Sequence, residues 1–308
     1  MSALVVKAHA KINLYLEVGP RLDSGYHQVT SVMQTISLAD VLTVTPHHNI
    51  QFSCNDDSLK QDNLVEKAAN LLAERYAPGA GAKIELTKNI PVAAGLGGGS
   101  SDAAATLKGL NTFWGLRLSL EDLREMALEL GADVPFCLTG GTALVTGIGE
   151  EVRSLKTANL GPVLIIKPYG GLSSGAVYEK FDELSRTTSE DDRASHRVNK
   201  IIEAIVADDR GALISACAND LETAASKLNP DIVDMQKRVL AAGASLCLVS
   251  GSGPSMFALA ETPEKLDEIR ALAAASASTW IVSVVERAVD IVETDDRLLP
   301  KQAIEYED

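Results

Sequence analysis

Aromatic side chains are scarce in this chain, at 4% of its 308 residues, although 46% of the residues are hydrophobic. The core must therefore be aliphatic and rich in alanine. Cationic side chains are outnumbered as well: 28 Lys and Arg stand against 42 Asp and Glu, a net charge of −14. With no local basic patch, such a chain repels nucleic-acid phosphates, which excludes nucleic acid as a partner. An anionic ligand has to be caught by backbone N–H groups and a few lysines. Cys54, Cys137, Cys217 and Cys247 are scattered with no Cys-x-x-Cys pair. Neither a metal site nor a disulfide framework is expected, and a reducing compartment fits. No apolar run approaches the length of a bilayer span, so no membrane partner is expected. The start, MSALVVKAHAKINLYL, lacks a basic region followed by a long apolar run. A cytoplasmic protein is the expectation. No internal repeat is visible.

What is present is an alternation of strand and helix signals. Ile12, Leu14, Leu16 and Val18 alternate with Lys11, Asn13, Tyr15 and Glu17, which predicts a half-buried strand with Lys11 and Asn13 on its outer face. Further strands are predicted at Val41–Thr45, Lys83–Leu86 and Thr142–Thr146, and helices at Leu64–Tyr76, Ser101–Phe113 and Leu120–Leu130. Ser119 with Asp122 three residues on, and Gly131 beyond, bracket the last helix. A new apolar strand is predicted at Val163–Ile166, an exposed polar loop over Thr187–His196, and helices near Val198–Ala207, Gly211–Cys217 and Ile232–Ala242. Strands at Ser245–Val249 and Ser255–Leu259, a helix at Pro263–Ala273 and a strand at Trp280–Val285 follow. This second half suits helices layered on an antiparallel sheet. The length allows two domains, with boundaries expected at 1–158 and 159–289. Residues 290–308 read as an acidic, partly disordered tail.

The most informative stretch is PVAAGLGGGSSDAAA, Pro91 to Ala105. Four glycines (Gly95, Gly97, Gly98, Gly99) stand before a helix and remove side-chain bulk. Backbone N–H groups can then close on an anion at the helix N-terminus, where unpaired donors and the dipole favour negative charge. The stretch lacks the Gly-Lys-Ser/Thr ending of the common phosphate loop. It also lacks the G-x-G-x-x-G spacing of dinucleotide sites.

The loop resembles that of the GHMP kinases. Three other segments agree: AHAKINLYLEVGPRLDSGYHQVTSVMQTISLAD (Ala8 to Asp40), LGADVPFCLTGGTALVTGIGE (Leu130 to Glu150) and SGSGPSMFAL (Ser250 to Leu259). The extra glycine of GLGGGSS is similar to the branch that phosphorylates a cytidine diphosphate-linked methylerythritol, on the route to isoprenoid precursors. The resemblance implies a two-domain α+β fold, with an S5-like N-terminal α/β domain and a ferredoxin-like C-terminal α+β domain. It also implies ATP and Mg²⁺ as cofactors. It says nothing of the oligomeric state.

Residue roles follow from this resemblance. Alone, Lys11 is a solvated strand lysine and Asp133, in Gly-Ala-Asp-Val-Pro, a turn residue. In the family pattern they are the catalytic pair, with the lysine stabilising the transferring phosphoryl group. Nucleotide binding falls to Pro91, Val92, Ala93, Ala94, Gly95, Leu96, Gly97, Gly98, Gly99, Ser100 and Ser101. The two serine hydroxyls are placed to bond phosphate or to reach Mg²⁺, and they can cap the helix at the same time. Asp102 complements the helix dipole. Asn63 is a nucleotide contact by resemblance and equally a helix cap. Substrate binding falls to Asn13, to Tyr26 and His27 around the cytosine ring, to Tyr178 as a second aromatic face, and to Gly251 and Gly253. The last two also read as a plain hairpin turn.

Overall fold

The computed structural model describes residues 3–59, 63–185 and 194–293. The first half folds in the order β1 (Leu4–Arg21), β2 (His27–Pro46), β3 (Ile50–Cys54), α1 (Leu64–Tyr76), β4 (Ala82–Thr87), α2 (Gly98–Phe113), α3 (Leu120–Leu130), α4 (Val134–Thr139), β5 (Thr142–Thr146) and β6 (Glu151–Leu155). The second half adds β7 (Val163–Pro168), α5 (Ser174–Ser185), α6 (Ala194–Ala207), α7 (Arg210–Ala216), β8 (Ala218–Asn219), α8 (Glu222–Leu228), α9 (Asp231–Ala241), β9 (Leu246–Val249), β10 (Met256–Leu259), α10 (Pro263–Ala273), β11 (Ala277–Val282) and β12 (Val289–Glu293).

Two sheets result. The larger runs β12-β1-β2-β4-β3, with β5 and β6 continuing from β2 and the short β8 parallel to β1. The smaller, β11-β7-β10-β9, is antiparallel throughout and carries helices, as the alternation in the sequence predicts. The protein thus has the mixed α+β architecture expected. Local chemistry sets the helix ends. Asn63, Ser119, Asp209 and Thr262 each cap a helix through the side-chain oxygen. Such caps contribute about 1 kcal/mol each. In β4, Ala82, Ile84 and Leu86 are buried while their neighbours face outward. Helix α2 is buried along most of its length, and from Gly98 to Ala105 it is built of Gly, Ser and Ala except at Asp102. Gly109 lets it lie close on β1, since a Cβ there would stand 3.1 Å from Val6 Cγ2.

Three expectations change. Strand β1 is not half buried: every residue from Ala8 to Leu16 is buried. Ile12 and Leu14 pack into the core shared with the smaller sheet, beside Ile165 and Phe257. Lys11 and Asn13 do share the opposite face, but glycine turns cover that face, so they are 4% and 1% exposed. The predicted tail begins too early, because Asp290 to Glu293 belong to β12, which pairs with β1. The apolar alternation of Val289 and Ile291 buries them against the core of the larger sheet. The rest of that tail, residues 294–308, lies outside the described residues, as does most of the polar loop predicted at Thr187–His196.

Candidate active site

A cavity of about 720 Å³ lies where the two sheets meet, a volume within the range of small-molecule sites. Its walls are the middle of β1, the β1–β2 hairpin, the loop from Pro91 to Ser100, the start of α4, the helix α5 and the β9–β10 turn. The chain therefore brings together residues separated by more than two hundred positions.

One end is built from backbone. Gly95 and Gly97 hold φ of +77° and +70°, a left-handed conformation that only glycine adopts without strain. Gly97 is the N-cap of α2 and supplies no side chain, so the first N–H groups of the helix are left for a ligand. The β9–β10 turn packs against this loop backbone to backbone. A Cβ on Gly95 would lie 2.1 Å from the Ser250 carbonyl oxygen, and Ser255 N donates to Ala94 O at 3.2 Å. Gly251 lines the cavity. Gly253 faces away, toward Val249, Ala225 and Leu172. The alternatives for this segment thus coexist: it is a hairpin turn and it braces the glycine loop.

Lys11 reaches the cavity between those two glycine turns. A Cβ on Gly97 would stand 2.8 Å from Lys11 Cγ, and one on Gly251 would stand 3.2 Å from its Nζ. The glycines make the slot through which the lysine runs. Its ammonium donates to Asn13 Oδ1 at 2.7 Å and lies 3.3 Å from Asp133 Oδ2. Asn13 Nδ2 donates to Ser31 Oγ at 2.8 Å, and Ser31 donates to the Tyr15 carbonyl at 2.7 Å. This chain fixes the amide with its oxygen toward the lysine. Asp133 begins α4, and its side chain is 32% exposed against 5% for Lys11. The carboxylate is thus the member of the pair that solvent or a ligand reaches.

The other end is built from side chains. His27 opens β2, its ring stacked on Tyr178 of α5 with centroids 5.4 Å apart. Phe181, also on α5, meets the same ring edge-on. His27 Nδ1 lies 3.0 Å from the Gly19 carbonyl oxygen, and Nε2 lies 3.1 Å from Asp182 Oδ1. Asp182 also takes Arg21 Nη1 at 3.3 Å. Tyr26, at the hairpin tip, is 59% exposed. Burial pushes the Tyr178 hydroxyl up to about 12, with the Asp133 charge adding to the effect.

Besides Gly253, Ser101 is turned from the cavity, and Asn63 is engaged as a helix cap. Ser101 is fully buried and its hydroxyl donates to the His9 carbonyl at 2.6 Å, so it ties α2 to β1 and does not face the cavity. Asn63 lines the cavity, but Oδ1 accepts from Glu66 N at 2.9 Å and Nδ2 donates to Glu66 Oε2 at 2.8 Å, the helix-cap alternative. Ser100 does line the cavity. Ala94 and Leu96 are buried in the core below and present only backbone. Sequence reasoning missed Arg21, Lys88, Phe181 and Asp182. The last was recoverable, since it falls one helical turn after Tyr178.

Comparison with known proteins places the chain in a family. The description "GHMP kinases N terminal domain" matches residues 63–141, which include the glycine loop and Asp133, and "GHMP kinases C terminal" matches residues 201–276. A relative from Thermoanaerobacter pseudethanolicus is 40% identical over 86% of this chain and 90% of its own length. The chain belongs to the GHMP kinase family. Members of this family are ATP-dependent small-molecule kinases. That relative is named 4-diphosphocytidyl-2-C-methyl-D-erythritol kinase, as is one from Bacillus cytotoxicus that is 41% identical over 86% of this chain and 91% of its own. A crystal structure of 4-(cytidine 5'-diphospho)-2C-methyl-D-erythritol kinase superposes with a TM-score of 0.74 at 32% identity, covering 92% of this chain and 99% of the other. A homoserine kinase from Cytophaga hutchinsonii superposes with a TM-score of 0.75 at 21% identity, covering 94% and 97%, and shares the GHMP kinase fold. Among the described residues no helix is long and apolar enough to cross a membrane.

Proposed function

We propose that this kinase transfers the terminal phosphoryl group of ATP to the 2-hydroxyl of 4-diphosphocytidyl-2-C-methyl-D-erythritol, in the cytoplasm. The observation that carries the reading is the placement of the Lys11–Asp133 pair, 3.3 Å apart, between a backbone anion cradle and an aromatic end. The names of relatives about 40% identical over most of the chain support the choice of substrate.

The cradle at Gly95 to Ser100 takes the ATP phosphates on backbone N–H groups. The substrate hydroxyl sits beside the more exposed Asp133, which orients it and accepts its proton. Lys11, held in its slot, places positive charge where the transferring phosphoryl spreads its negative charge. No cluster of three His, Cys, Asp or Glu side chains fit to cage a metal occurs among the described residues. A Mg²⁺ carried on ATP needs none, because that ion keeps waters and takes substrate phosphates as ligands. Bound there, it neutralises charge on the phosphates. At the far end Tyr26 offers an exposed face for stacking on the cytosine, with Tyr178 as the second wall. Both ring nitrogens of His27 already have protein partners, so it must give up one bond to read the polar edge of the base. Its standing role in this reading is to fix the hairpin that carries Tyr26.

The test is ADP release, coupled to a spectroscopic readout, with this cytidyl substrate, homoserine and mevalonate offered in turn. Turnover with the cytidyl compound alone is expected. Equal or greater turnover with either of the others overturns the choice of substrate.

A further inference from the structure

Beneath the glycine loop, one ammonium and two carboxyls are shut away from water. Lys88 Nζ donates to Asp102 Oδ2 at 2.7 Å and to Asp40 Oδ2 as well. The three side chains are 6%, 3% and 0% exposed. Asp40 is saturated with donors, since its Oδ1 also accepts from the backbone of Asn89 at 2.5 Å and Ile90 at 2.8 Å. Asp102 is not: its Oδ1 is buried with no hydrogen-bond partner. A bare carboxylate oxygen in such a place is costly, and a neutral carboxyl far less so. With both acids ionised, the cluster would carry one net negative charge. That charge would sit directly under a site for polyphosphate. Asp102 lies in the first turns of α2 and lines the cavity. Lys88 Nζ is 3.2 Å from where a Cβ on Gly98 would stand.

The other groups around Asp102 do not relieve this. Cys54 of β3 and Cys137 of α4 feel its charge, and burial raises both thiols, which keeps them neutral. Lys11 runs between the loop and the β9–β10 turn, and its ammonium is paired with Asp133. Burial pushes Asp102 up to about 8; Lys88 opposes the shift and the Asp40 carboxyl adds to it. Burial works against the Lys88 charge, yet the two carboxyls outweigh it and its pKa ends above the ordinary value.

We propose that Asp102 is a positioning residue that must hold a proton for the cradle to keep its nucleotide. The proton makes the floor of the phosphate site neutral, with Lys88 and Asp40 paired and Asp102 uncharged. When solvent removes that proton, the floor turns negative and repels the phosphates. No other bond changes. The proposal rests on the nucleotide reading of the glycine loop. By linkage, nucleotide raises the proton affinity of Asp102, so binding at alkaline pH takes a proton from the medium.

The experiment is calorimetric titration of the full chain with ATP from pH 7.5 to 9.5, a range in which ATP keeps its own charge nearly constant. It is run in two buffers of different ionisation enthalpy. Wild-type affinity is expected to fall by up to about tenfold per pH unit above the Asp102 transition. Near pH 8.5 the buffer dependence of the heat is expected to report uptake of most of one proton. Asp102→Asn, an uncharged side chain of the same shape, is expected to bind ATP with a flat profile and no proton uptake. Equal pH slopes in wild type and variant, or no uptake in wild type, overturn the proposal while leaving the cradle in place. Absence of uptake in the wild type overturns the proposal even if the variant does not fold. Absence of ATP binding at every pH overturns the nucleotide reading and the proposal with it.

Discussion

At the glycine-loop end of the cavity the protein presents backbone: Gly95, Gly97 and the N-terminus of α2, with Gly251 behind. At the opposite end it presents side chains: His27 stacked on Tyr178, with Phe181 and Asp182 around the ring. Backbone donors recognise charge and geometry and care little for what lies beyond a phosphate. Side-chain rings and polar tips discriminate one base or acceptor from another. A kinase family that shares a donor and differs in acceptor is expected to keep the first end and vary the second. The ends also differ in tolerance. A glycine in left-handed conformation against another backbone has no smaller substitute, whereas a stacked ring loses affinity by degrees.

The largest effects are expected between the ends. Asp133→Asn and Lys11→Ala should each lower kcat by about a hundredfold or more, the scale of lost proton transfer or charge stabilisation. The ATP dissociation constant should stay near wild type, because the cradle is untouched. Near-normal turnover of Asp133→Asn would remove it as the group that takes the proton.

Next come the glycines, which separate geometry from mere location. Gly97→Val forces a β-branched residue to φ +70° and puts a Cβ 2.8 Å from Lys11 Cγ. It should weaken ATP binding and also lower kcat, since the lysine must move. Gly99→Ala is the control. Its Cβ would meet only Leu64 Cδ1 at 3.7 Å, and its φ is not in the left-handed range. ATP affinity within a fewfold of wild type is expected there by calorimetry. Equal losses at both positions would mean that any side chain in the loop is harmful, and the slot for Lys11 would lose its support.

The two ends were unequally legible in the sequence. The glycine run announces itself because missing side chains are a local property, visible in consecutive residues. Helix limits at Leu64–Tyr76 and Leu120–Leu130 were readable for the same reason: Asn63 and Ser119 bond within their own first turn. The burial of Lys11 was not readable. It depends on Gly97 and Gly251, 86 and 240 residues away in the chain. Ser101 looked like a phosphate ligand from its neighbours and proved to bond the His9 carbonyl across the helix–sheet interface. Asp290–Glu293 lacked a long apolar run, yet one free edge beside β1 was enough to make them a strand. Whatever is set by contact between distant segments had no local signature.

At the aromatic end smaller losses are expected. Tyr178→Ala removes the ring that backs His27, and stacking contacts with bases cost about 1–3 kcal/mol when lost. The KM for the cytidyl substrate should rise by roughly tenfold, while ATP affinity stays as in wild type. Unchanged KM would move the base away from α5.

The smallest effect, and the sharpest probe of how this end is held, concerns Asp182. It binds two partners of different character. Arg21 is 56% exposed, and an ion pair in water is worth about 0–1 kcal/mol. The His27 side chain is 7% exposed, so its bond to Asp182 is shielded from water. Asp182→Asn retains the shape and an oxygen, and it should raise the KM of the cytidyl substrate by only a fewfold, with kcat and ATP affinity unaltered. A double-mutant cycle then divides the loss. Asp182→Asn combined with Arg21→Ala should be close to additive, within about 0.5 kcal/mol. Combined with His27→Ala it should fall short of additivity, because both changes break the same contact. The reverse pattern would mean that the hairpin is latched through its exposed arginine, and that the stacked histidine only fills space behind Tyr26.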